Sequence, residues 1–255
     1  MLDGRGPDRP SEGMTMKRLT VSALVLIVLL AIAIPAMGED IGSLTDRAMT
    51  NRIAYIQHAL DDGQKPANVW WYGWLIGYTA ATAGQLAARS GTDDEKQRQD
   101  MLVGAATTAL GAVGQIALPM EAGRLPARLR GMADDTPEAR RVKLVAAEEF
   151  LRRSAARETL GRSWQTHAIA GAVNLAAGLV IWRHYDRSAS DGLLTFAVGQ
   201  LVSEIQIFTQ PTKAVRDLRT YERRSDWEQA DATATSHRTW YVGIGPRRVV
   251  VGCSF

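Results

Sequence analysis

The stretch that decides the fold runs Trp164-Gln165-Thr166-His167-Ala168-Ile169-Ala170-Gly171-Ala172-Val173-Asn174-Leu175-Ala176-Ala177-Gly178-Leu179-Val180-Ile181-Trp182. It contains no Asp, Glu, Lys, Arg or Pro, and its apolar residues do not alternate with a period of two. It reads as a helix that is apolar nearly all round. Gly171 and Gly178 are seven residues apart, two helical turns, and so share a face. A glycine inside a helix costs about 1 kcal/mol against alanine. A pair of them is expected where a neighbouring helix approaches too closely for a side chain.

The same pattern stands earlier in the chain, as Trp70, Gly77 and Gly84. In both places a polar loop and another helix follow, and a proline ends the unit. Trp70 to Pro119 is 49 residues and Trp164 to Pro211 is 47. Ala122 and Arg124 after the first proline match Ala214 and Arg216 after the second. The third helix holds Gly104 and Gly111, and the sixth holds Gly192 and Gly199, so all four central helices are expected to use glycine faces for close packing. The pattern predicts an all-α fold, a six-helix bundle built as two tandem three-helix repeats over 43–119 and 136–211.

The helices are expected at 43–61, 68–89, 99–118, 136–160, 163–185 and 191–210, with a charged extension to 224. The first carries Met49, Ile53, Ile56 and Leu60 on one face and leaves Asp46, Arg47, Arg52 and Gln57 outside. Asp61-Asp62-Gly63 and Pro66 are read as its end. Residues 120–135 read as a connection with one helical turn. Thr136-Pro137 starts the fourth helix with a cap and a first-turn proline, and Asp191 is read as the cap of the sixth. In the tail, 225–255, Trp240–Ile244 and Val249–Cys253 flank Gly245-Pro246-Arg247 and predict a short β-hairpin.

Residues 1–38 are read as an extension and export signal rather than fold. Met16 starts it, Lys17 and Arg18 give the charged region, Leu19–Ile34 the apolar run, and Pro35-Ala36-Met37-Gly38 the small residues before cleavage. An uncleaved anchor is the alternative. The bundle domain then spans 39–224. Cys253 is the only cysteine, so no internal disulfide is available and stability must come from helix packing. The net charge of +3 is not gathered into a stripe, which argues against nucleic acid.

Two placements of the central helices compete. Residues 69–88, 101–120 and 164–182 lack charge altogether, and 192–212 holds only Glu204; about 20 such residues cross a bilayer. Against this stand Gln85, Gln115, His167, Asn174, Gln200, Glu204 and Gln206, costly in hydrocarbon. Charge also opposes it: with the start outside, the inner loops 89–100 and 183–191 hold five basic residues, and the other 21 of the mature chain lie outside. These points favour a water-soluble bundle of the periplasm or envelope, with an integral inner-membrane protein as the alternative.

No metal signature, nucleotide loop or Ser/His/Asp order is present, and no cofactor is expected. His167 and Asn174 share a face of the fifth helix; Gln200 and Glu204 share one on the sixth. If these faces meet, they form a buried network fixing register or, less simply, an acid/base pair with His167 and Glu204 as weak catalytic candidates. Trp70, Trp71, Trp74 and Tyr78 form either core or the wall of an apolar pocket. Three functions are therefore open. One is a non-enzymatic envelope module binding a partner protein, an apolar small molecule or a second copy. The others are a four-span membrane protein of a larger complex and a hydrolase-type enzyme. Mass spectrometry of the expressed protein should find its N-terminus at Glu39; a chain starting at Met16 would mean the apolar run is kept as an anchor.

Overall fold

The computed structural model describes residues 44–224 and the backbone of 239–245 and 248–254. The expected signal, the segment 225–238 and the side chain of Cys253 lie outside the described residues. The described part is nearly all helix: α1 (Asp46–Ser90), α2 (Glu95–Ala117), α3 (Leu125–Arg130), α4 (Pro137–Gly161), α5 (Trp164–Leu179), α6 (Ala189–Thr209) and α7 (Lys213–Arg223). A 3-10 turn, Glu121–Gly123, precedes α3, and α5 runs into a π turn, Val180–His184, closed by Tyr185 N–H on the Val180 carbonyl. Two strands, β1 (Thr239–Gly245) and β2 (Arg248–Ser254), pair antiparallel with Val242 opposite Val251.

The helix starts follow from local chemistry. Thr45 caps α1 by accepting the Ala48 N–H, Asp94 caps α2 through Lys96 and Gln97, and Thr136 caps α4 through Ala139. The cap of α6 is Ser188, not Asp191 as read from sequence. Ser188 Oγ accepts the Asp191 N–H, while the Asp191 carboxylate sits in the first turn and accepts from Arg187. That places the acid where the helix dipole favours it.

The first two expected helices are one. The helix α1 continues for 45 residues straight through Gly63 and Pro66. Pro66 has no N–H for the Asp62 carbonyl, a loss of about 3 kcal/mol in an unsupported helix. Here the segment is held from outside: Gly63 packs on Ala122, and Ala67, Met120 and Ala122 form a buried cluster against Trp70 and Trp71. Tertiary packing overrides the break.

The structure divides by depth of burial. The N-terminal half of α1, with α3, α4 and α7, forms a cap whose core holds Met49, Ile56, Leu60, Leu125, Leu129, Leu144 and Leu151, each nearly inaccessible. The predicted apolar face of residues 49–60 is therefore the core face. Arg52, expected outside, is buried as well, because α4 covers it and supplies Glu148 at 3.9 Å. From the cap project two helical hairpins, α1–α2 and α5–α6. Their contact includes Val103 against Ala177 and Ile181, and their tips are tied by Arg187, which donates to the Lys96 carbonyl and to Asp100.

The outer surface of the hairpins is largely apolar. Every exposed large apolar side chain among the described residues, except Val142 and Val145, lies on them, at positions 69–86, 102–116, 164–182 and 193–208. Two helical runs, Glu95–Ala117 and Ala189–Arg223, contain windows long and apolar enough to cross a membrane, and only 17% and 11% of those windows is buried.

The glycine faces are used unequally. At Gly178 and Gly192 the backbones of α5 and α6 meet: a Cβ on Gly178 would lie 2.5 Å from the Gly192 carbonyl oxygen. Gly104, Gly111 and Gly199 receive the side chains of Gln85, Tyr78 and Asn174. Gly77 and Gly84, expected to be packed, face open space, and Gly171 meets only Gln200 at ordinary contact distance. In α1 the packing face is set by Tyr78, Thr82 and Gln85 instead. Gly178→Ala should therefore cost about 1–3 kcal/mol of stability by overpacking and lower the melting temperature, while Gly84→Ala should be neutral or gain up to about 1 kcal/mol and hold or raise it; thermal melts of both variants in the same buffer decide this.

Candidate functional site

Polar side chains of the hairpins converge at the helix seams, and several of their contacts bridge two helices. Between α5 and α6, His167 Nδ1 lies 2.9 and 3.1 Å from the two carboxylate oxygens of Glu204. Gln200 donates its amide to Glu204 Oε1 at 2.6 Å. Asn174 donates to Gln200 Oε1 at 3.2 Å and to Ser203 Oγ at 3.0 Å, and Ser203 donates to the Gly199 carbonyl at 3.0 Å. All four polar positions expected to share this face are thus joined, with Ser203 added.

The direction of this chain carries chemistry. Gln200 has given its carbonyl to Asn174, so its amide is the group that faces Glu204. Gln200 donates into the Glu204 carboxyl, and a His167 tautomer with its proton on Nδ1 donates there as well. An imidazole whose Nδ1–H is committed in this way leaves Nε2 as its second proton site. Asn174 is buried, whereas the side chains of His167 and Glu204 keep 32% and 27% of their exposure. The Phe208 ring stands 5.7 Å from the imidazole.

A second set joins the hairpins. Tyr78, on α1, donates its hydroxyl to Gln206 Oε1 at 2.7 Å, and Trp70 donates its indole N–H to the Gln206 carbonyl and to Thr209. Trp71 donates to the Gln115 carbonyl at 2.8 Å. Trp74 packs on Tyr78 with centroids 5.6 Å apart. The four aromatic residues singled out from sequence thus split: Tyr78 is buried, and the three tryptophans are partly exposed with Trp70 and Trp71 tied by their N–H groups. Gln206 was recognisable only as a polar residue diluting an apolar helix; its place, two residues from Glu204, puts it on the opposite flank of α6 and so toward α1.

Beneath the hairpins, α4 closes their C-terminal ends. Arg157 donates twice to the Leu118 carbonyl, at 2.7 and 3.2 Å, where α2 ends. Arg162 donates to the carbonyls of Phe208 and Gln210, where α6 ends. These are orphan carbonyls of helix termini, and cations suit that end of the dipole. Burial lowers the Arg157 guanidinium from its ordinary value. Beside it, burial raises the Glu158 carboxyl above its ordinary 4.5, opposed by the N–H groups of Val215 and Ala214. Deeper in the cap, Tyr221 donates to Glu148, and burial together with that carboxylate raises the phenol's pKa, keeping it protonated. No signal in the sequence marks Glu148 or Glu158 as buried, since each sits in a helix dense with charges.

Among the described residues no group of three or more His, Cys, Asp or Glu side chains is placed to hold a metal. No family model, curated protein or solved structure matches the chain.

The raised Glu158 carboxyl gives a pH prediction. A raised folded-state value means that the protonated form is favoured in the fold, so the cost of the charge is absent below about pH 4.5 and grows as pH rises above it. Glu158→Gln keeps an acceptor for the Val215 N–H and removes the charge. Thermal melts should show the variant more stable than the parent at pH 7, with the difference fading below pH 4.5; an equal difference at every pH would contradict the assignment.

Proposed function

We propose that this chain is an integral membrane protein of the cell envelope, with the two hairpins as four spans and the α1/α3/α4/α7 cap as a domain at the membrane surface. The observation that carries this reading is the exposed apolar surface of the hairpins, seen in Ile76, Val113, Ile116, Leu194, Leu201 and Phe208. Monomeric soluble proteins rarely expose an apolar patch of more than a few hundred Å2. Lipid covers such a surface at no cost. The polar side chains support it from the other side, because Gln, Asn, Ser, Thr, Tyr and Glu pair between helices, as in Thr82 with Thr108 at 2.8 Å. Intramembrane polar groups need that. Residues 69–88 give about 30 Å of helix at 1.5 Å per residue, the thickness of a bilayer core.

Several finer points belong to this reading. Trp70, Trp71, Trp74 and Trp164 mark the cap-side interface, and Trp182 with Tyr185 the other, in the manner of aromatic belts. The signal at 16–38 would deliver the cap to the outer face. The basic residues pull the other way, five at the hairpin tips against 21 on the cap side, although long segments weigh less in that rule. The tandem repeat fits as well: α3 returns to α1 after Pro119, and α7 returns to α4 after Pro211. The C-terminal hairpin would then be an appendage of the cap domain, able to add to a partner's sheet edge.

The two other readings have less behind them. A hydrolase built on His167 and Glu204 would need a nucleophile within reach of the imidazole, and Ser203 is engaged with Asn174 and Gly199 instead. An apolar-ligand module built on the tryptophans would need an open pocket, and the N–H groups of Trp70 and Trp71 serve the α1–α6 and α1–α2 contacts. Carbonate washing of membranes from expressing cells tests the proposal. The protein should stay in the pellet and enter solution only with detergent; release into the soluble fraction would restore the water-soluble bundle.

A further inference from the structure

The four spans contain one carboxylate and one imidazole, and these two groups touch. Residues 69–88, 101–118 and 164–182 hold no Asp, Glu, Lys or Arg, and 192–210 holds only Glu204; His167 is the only histidine in any of them. Chance placement would scatter such a pair over four helices, whereas here Nδ1 and Oε2 are 2.9 Å apart. A charged carboxylate at this depth is costly without a partner, and the whole donor chain from Asn174 through Gln200 ends on it.

We propose that His167 and Glu204 form an intramembrane proton-binding site, open to the cap side of the bilayer. This rests on the four-span reading above. The ligand is a single proton. With the imidazole neutral, its Nδ1–H is given to Glu204 and the pair carries one negative charge. A proton taken up at Nε2 makes an imidazolium beside a carboxylate, and the pair becomes neutral overall. No bond other than Nε2–H is made or broken, and no electron moves. His167 lies three residues into α5 and Glu204 five before the end of α6, about one to two turns below the cap. Both side chains keep roughly a third of their exposure, and at that depth long polar groups reach toward the cap-side interface.

The surroundings hold few other charges. From α1, Tyr78 reaches α6 and is bonded to Gln206. From the α4–α5 turn comes Arg162, occupied by the carbonyls of Phe208 and Gln210, and from α4 comes Arg157, occupied by Leu118 and Gln210. The spans of α1 and α2 present no charge at all. Beyond Asn174 the α5–α6 seam narrows to the Gly178–Gly192 contact, so the polar chain stops inside the bilayer. The site binds and returns a proton from one side, and does not conduct it across.

The test uses the full chain in detergent micelles with histidine labelled by 15N, and the His167 ring signal is assigned by its loss in His167→Gln. Ring nitrogen shifts are followed from pH 5 to pH 8 in the parent and in Glu204→Gln. The expected result is a His167 titration in the parent whose midpoint shifts in Glu204→Gln. The same curve in both proteins, or no titration in the parent, would overturn the proposal and leave the membrane reading untouched. A Glu204-dependent titration in a protein that carbonate washing releases would instead overturn the membrane reading, and with it the intramembrane character of the site.

Discussion

The hairpins depend on polar side chains that find their partners across the helix seams, while short hydroxyls such as Thr79 and Ser203 fall back on carbonyls of their own helix. Asn174 reaches Gln200 and Ser203, Tyr78 reaches Gln206, and Thr82 reaches Thr108. Such reach is short, so the helices must lie close. Close helices in turn require glycine where the partner arrives, as at Gly199 under Asn174 and Gly111 under Tyr78. Side-chain polarity and glycine placement are thus one requirement seen from two helices. The apolar residues are left to face outward, which reverses the ordinary sense of a soluble core.

The cap obeys the ordinary sense. Leucine, isoleucine and alanine fill it, and Glu148 is placed between Arg52, Arg152 and Tyr221, whereas the buried Glu158 carboxyl is met by the Val215 N–H. Its connection to the hairpins is polar and specific. Arg157 and Arg162 stand at the C-terminal ends of α2 and α6, and Gln210 returns a hydrogen bond to the Glu158 carbonyl at 2.8 Å. One helix of the cap thereby holds the ends of both hairpins. This arrangement also explains why Pro119 and Pro211 stand where they do: each stops a returning helix just where its last carbonyls meet an arginine.

Much of this was legible in the sequence, for physical reasons that can be named. The periodicity of Met49, Ile53, Ile56 and Leu60 gave the core face of α1, and charge-free runs gave the four central helices. The shared faces of His167/Asn174 and Gln200/Glu204 followed from the helical repeat alone, and whether those faces meet is a matter of tertiary arrangement that no single helix encodes. Pro66 misled, because local propensity reports an isolated helix and not one clamped by Ala122 and Met120. Gly77 and Gly84 misled in another way. Glycine permits a close neighbour without requiring one, so a glycine face marks an opportunity and not a contact. Arg52 was placed outside since its burial depends on Glu148, 96 positions further along the chain, a pairing that periodicity does not register.

The uninterrupted course of α1 has a mechanical side. At 1.5 Å per residue its 45 residues make a rod of about 67 Å, roughly twice the apolar thickness of a bilayer. One end carries the packing surface of the cap and the other ends at the first hairpin tip. A stiff rod does not lose a tilt along its length, so rocking of the cap by a few degrees would swing Ser90 by several ångströms. The turn around Pro66, where the Asp62 carbonyl lacks its helical donor, is the point at which Ala122 and Met120 clamp the rod. That clamp sits at the level where the cap gives way to the hairpins, and it divides the rod into two arms of unequal length, 20 and 24 residues on either side of the proline.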